Sequence, residues 1–105
     1  LQQLALLILA AAMEVGGDAC VRWGLKSGRV VGLVLGSLVL VLYGFTVNVS
    51  KWDFGKLMGV YIAVFFVVSQ IMAVALFHER IKAPAIVGGA LIVLGGIVLT
   101  VWRPQ

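Results

Sequence analysis

Charge is what this chain has least of. Only 11% of its 105 residues are charged, while 63% are hydrophobic. A soluble domain of this length must clothe its surface in polar side chains, and too few are present. The composition therefore excludes a soluble fold and indicates an integral membrane protein, with residues 1–105 forming a single domain. The one cysteine, Cys20, excludes an internal disulfide and cannot supply a metal set alone. The one histidine, His78, is followed by Glu79, but the second histidine of a zinc-protease helix is absent. No metal centre is expected, and His78 reads as a polar residue at the membrane interface. There is no nucleophile–base set, phosphate loop or redox motif, so neither a catalytic site nor an organic cofactor is expected. A formal net charge of +4 would suit nucleic acid if the basic residues clustered. They lie instead at the ends of apolar segments, where they suit lipid headgroups.

What is present is a succession of four apolar segments, at about 1–21, 30–49, 54–77 and 84–102. At about 1.5 Å per helical residue, some 20 residues span roughly 30 Å, the thickness of a bilayer core. The fold class is all-α, a four-transmembrane-helix bundle. Gly24, Ser27 and Gly28 place the first connection at 24–29, residues 50–53 make the second and 78–82 the third. Asp53 is placed to cap the third helix with its carboxylate, and Pro84 to occupy the first turn of the fourth. Such short connections make successive helices antiparallel. Arg22, Lys26, Arg29, Arg80 and Lys82 fall on one side, and Lys51, Lys56 and Arg103 on the other. This bias mildly favours a cytoplasmic location for the first group and leaves insertion in both orientations open. No basic region precedes the first run, so it reads as a span and not as a cleaved signal peptide. Because it opens on leucine, the natural start is expected to be missing or processed.

The first segment carries the chain's most informative residue. Glu14 lies near its middle, with Ala10, Ala11 and Gly17 one turn away on the same face. A carboxylate at membrane depth is costly, and it marks a functional site by default. Helix packing with a neutral or paired carboxyl is the plainer alternative. Asp18 and Arg22 follow at intervals of four and are expected to form a local ion pair. Ser37 and Tyr43 in the second segment, and Tyr61 in the third, offer hydroxyl or ring contacts to the same site, although each also suits ordinary packing. In the fourth segment Gly88 and Gly95 are seven apart, as are Gly89 and Gly96. That side-chain-poor face predicts helix contact, expected between subunits. A bundle this small has little interior of its own. The economical assembly is a homodimer that places Glu14 of each subunit at one cavity. Paired carboxylates in apolar surroundings can hold protons near neutral pH and release them to an arriving cation.

Two stretches carry a family resemblance. Ala12-Met13-Glu14-Val15-Gly16-Gly17, and the run from His78 to Gly96, resemble small multidrug resistance-type transporters of the drug/metabolite transporter superfamily. The resemblance implies an antiparallel dimer in a bacterial or archaeal plasma membrane, with Gly89, Leu91, Ile92 and Gly96 at the dimer surface. It implies that Glu14 exchanges protons, the coupling ion, for small organic cations such as guanidinium or quaternary ammonium compounds. The third helix departs from the family pattern. Met58 and Tyr61 stand where many members carry tyrosine and tryptophan, and Ala63, Val64 and Phe65 where many carry a glycine-rich bend. The chain therefore reads as a divergent member. The alternative is a non-enzymatic accessory or structural membrane protein, such as a lipid-carrier subunit in a heteromer.

Overall fold

The computed structural model describes residues 2–102. Its four helices are α1 (Gln2–Ser27), α2 (Val30–Val47), α3 (Phe54–Phe77) and α4 (Ala83–Val101). All four are long and apolar enough to cross a membrane. The expected start of the first helix at Leu1, and Arg103 beyond the last, lie outside the described residues. The helices form two compact units, one ending at Ser50 and one beginning at Lys51.

In the first unit α1 packs on α2. Glycines on both helices let the backbones approach. A Cβ added to Gly17 would fall 2.9 Å from Leu40 Cγ and 3.1 Å from the Gly36 carbonyl oxygen. One added to Gly24 would fall 2.8 Å from the Leu33 amide nitrogen. Contacts climb α1 as they descend α2, so the pair is antiparallel. The helix α1 runs six residues beyond the expected end at Val21. Gly24 and Ser27, read as loop residues, are helical. A glycine costs a helix only about 1 kcal/mol, whereas each backbone group left unpaired in hydrocarbon costs several. Gly24 also serves as a contact surface for α2, and the Ser27 hydroxyl donates to the Trp23 carbonyl at 2.7 Å. The turn shrinks to Gly28 and Arg29. Gly28 takes φ +70°, and the Arg29 amide donates to the Gly24 carbonyl at 3.0 Å. At the open end of the pair, the Ser50 hydroxyl donates to the Gln3 side-chain oxygen at 2.6 Å.

In the second unit α3 packs on α4. The contacts are Gly59 with Leu99, Ala63 with Gly96, and Phe66 with Gly89, again an antiparallel order. Leu57, Val60, Tyr61 and Ala63 of α3 are buried. Asp53 is the N-cap of α3, but its side chain makes no capping bond. Its backbone carbonyl instead accepts from the Leu57 amide at 2.8 Å. The Lys56 ammonium lies 4.6 Å from the centre of the Trp52 ring, a cation–π contact before and within the first turn of α3. His78 closes α3 in the left-handed region at φ +55°, a conformation that glycine usually takes. Pro84 lies in the first turn of α4, where its missing N–H leaves no helical bond unmade.

Candidate functional site

Glu14 lies half-buried in the middle of α1. Ala10 and Ala11 before it are fully buried, and Gly17 after it is buried. The carboxylate thus sits beside the small residues on which α2 closes. The contact of Gly17 with Leu40 sets the local register. Three residues back along α1, and three onward along α2, that register brings Glu14 level with Tyr43. Tyr43 is half-buried, and its phenol is the polar group of α2 at the carboxylate's height. One turn further along, Ala10 is level with Val47, which is 2% exposed. Fully buried Leu7 adds to the apolar layer on that side of Glu14. Sequence reading did not single out Leu7 or Val47, because an aliphatic residue in an apolar run carries no local signal.

Of the other residues expected at the site, those of the first unit spread along its two helices. Asp18 is exposed one turn beyond Glu14, with the Glu14 carboxylate as its electrostatic neighbour. Arg22 is exposed one turn further, so the three charged groups form a stripe along α1. Ser37 is exposed on α2. It is six residues from Tyr43, roughly 9 Å along the helix axis, and so is not at Glu14's level. Tyr61 belongs to the second unit. It is 5% exposed, and its ring centre lies 6.0 Å from that of Phe65. Among the described residues no group of three or more His, Cys, Asp or Glu side chains is placed to hold a metal ion.

The glycines of α4 divide into two sets. Gly89 and Gly96 are buried, and they are taken up inside the chain by Phe66 and Ala63 of α3. Gly88 and Gly95 have nothing near the position of a Cβ, and Leu91 between them is 67% exposed. Ile92, beside Leu91, is half-buried.

All of residues 1–105 match the family described as "Uncharacterised BCR, YnfA/UPF0060 family". A UPF0060 membrane protein of Herpetosiphon aurantiacus is 32% identical over 102 residues, covering 94% of this chain and 93% of its own. One from Kineococcus radiotolerans is 31% identical over 107 residues, covering 100% and 96%. One from Clostridium beijerinckii is 30% identical over 102 residues, covering 93% and 90%. No solved structure matches the chain. The whole-length match overturns the resemblance to small multidrug resistance-type and drug/metabolite transporters, and the name antiporter falls with it. The small residues around Glu14 and the glycines of α4 misled because both are close-packing patterns that membrane helices use widely. The bacterial relatives and the four spans make the protein a multi-pass integral membrane protein.

Proposed function

The chain belongs to the YnfA/UPF0060 family, and from the chemistry of its site we propose that it carries small organic cations across the membrane, with Glu14 holding a proton and a cation in turn. One observation carries this reading. Glu14 sits half-buried at mid-helix between the small residues Ala10, Ala11 and Gly17, level with the Tyr43 phenol. Such a carboxylate is costly in hydrocarbon and marks a functional site by default. The small neighbours let α2 close on α1 beside the carboxylate, and Tyr43 offers a ring face and a hydroxyl to a cation. The working assembly in this reading is a homodimer. It is supported by the open face of Gly88, Leu91 and Gly95 on α4, which a second helix can approach closely.

The test is uptake into vesicles holding the purified protein, with guanidinium or a quaternary ammonium ion as solute and a pH gradient as the only driving force. Wild-type protein is expected to accumulate the cation, and the Glu14→Gln variant is not. Equal uptake by both overturns the mechanism. Absence of flux from the chain alone, with a different membrane protein co-purifying in fixed proportion, would favour the accessory role instead.

A further inference from the structure

The α3–α4 unit carries a groove that the transport reading leaves unused. Its volume is about 720 Å³, and its walls include Phe66, Gln70 and Val74 of α3, Ile81 of the connection, and Ile86 and Ala90 of α4. Apart from the half-buried Gln70 amide the lining is apolar. On α3 the groove reaches from Ala75 back to Phe66. Those nine residue steps cover roughly 14 Å. Half of a hydrocarbon core about 30 Å thick is the same length, so the groove has the depth of one leaflet. Its outer end is the connection at 78–82. There Ile81 stands between exposed Arg80 and Lys82, with exposed His78 and Glu79 beside them.

We propose that this groove binds one anionic phospholipid, an acyl chain lying between α3 and α4 and the phosphate held by Arg80 and Lys82. The depth argues for a lipid over a second copy of the chain, because a partner helix runs the full thickness of the bilayer. The charge argues for an anionic lipid over a zwitterionic one. Two cations adjoin Ile81, the groove's residue in the connection, and an arginine can grip a phosphate through two N–H groups. Glu79 beside them offsets part of this attraction for any anion, so binding also needs the acyl chain in the groove. The inference stands apart from Glu14 and from transport.

The full-length protein is placed in nanodiscs of equal parts phosphatidylglycerol and phosphatidylcholine with identical acyl chains. Lipid retained after release of the bulk bilayer is then counted by native mass spectrometry. One phosphatidylglycerol per chain is expected. Arg80→Ala with Lys82→Ala should lower the preference for it roughly thirtyfold, while Arg80→Lys with Lys82→Arg should keep it. Ala90→Phe fills the groove from an exposed position and should abolish retention, with helix content by circular dichroism unchanged. Equal retention of the two lipids overturns the proposal, as does retention that survives Ala90→Phe. Chain-to-chain cross-linking through Ala90→Cys, in place of bound lipid, would assign the groove to a second copy.

Discussion

A single added methyl group separates the glycines that hold the first unit together from those that do not. On Gly36 a Cβ would lie 2.7 Å from the Gly17 carbonyl oxygen and 2.9 Å from the Val21 amide nitrogen. Both are backbone atoms, so the helices themselves must part. Gly36→Ala should therefore destabilise the α1–α2 pair by about 1–3 kcal/mol, the usual cost of overpacking. Gly44 lies on the same helix with nothing within 4 Å of its missing Cβ. Gly44→Ala should change stability by no more than about 1 kcal/mol, the span of the glycine–alanine difference in helices. Unfolding in mixed micelles of rising denaturing-detergent content would rank the two variants, and equal stability would refute the distinction. The same residue-level logic separates the two acids of α1. Glu14 is half-buried among small side chains and Asp18 is exposed. Asp18→Asn should retain most of any pH-driven cation uptake, where Glu14→Gln loses it. Matching losses would move the exchange function from one residue to the stripe.

Helix ends depend on backbone geometry, and two of them make opposite predictions. His78 holds φ +55° at the end of α3, and Gly28 holds φ +70° between α1 and α2. A side chain in this region costs roughly 1 kcal/mol, a cost that glycine avoids. His78→Gly should raise the thermal unfolding temperature in detergent, and Gly28→Ala should lower it, each by the equivalent of about 1 kcal/mol. Circular dichroism melts would check both signs. These ends are also where sequence reading reached its limit. The existence and order of the four helices were legible, because apolar runs near 20 residues have few other uses. The end of α1 was not, because Gly24 reads as a breaker until α2 is seen lying against it. Asp53 was legible as the N-cap, yet its carboxylate makes no capping bond, and residue type alone cannot report that. The Glu14 neighbourhood on α1 followed from helical spacing. Its level with Tyr43 did not, since register between two helices is set by contacts such as Gly17 with Leu40. The α4 glycines announced close packing, expected between subunits, and within the chain Phe66 and Ala63 lie against Gly89 and Gly96.

At the scale of the whole molecule the chain divides at Ser50, and each part is a pair of spans with its own packing surface. Each pair is joined by a short link, 28–29 in one and 78–82 in the other. A pair of apolar helices needs no further element to satisfy its backbone in a bilayer, because every spanning hydrogen bond is internal to a helix. Residues 1–50 and 51–105, produced as separate chains, should each insert and resist extraction from membranes by alkali. The two should differ in robustness. In the first, Gly24 and Gly36 bring backbone against backbone, Gly17 and Gly32 meet backbone as well as the Leu40 and Trp23 side chains, and the link is two residues long. In the second, only Gly96, against Ala63, meets a residue with no rotamer to turn, while side chains of Leu99 and Phe66 fill the space above Gly59 and Gly89, and the link is five residues long. Backbone contacts leave nothing to re-pack, whereas a leucine or phenylalanine can turn to another rotamer and let the helices separate. With fluorophores on the two ends of each pair, energy transfer should therefore persist to a higher denaturing-detergent content for 1–50 than for 51–105. The opposite order would show that the span of close glycine contacts is not what holds α1 to α2.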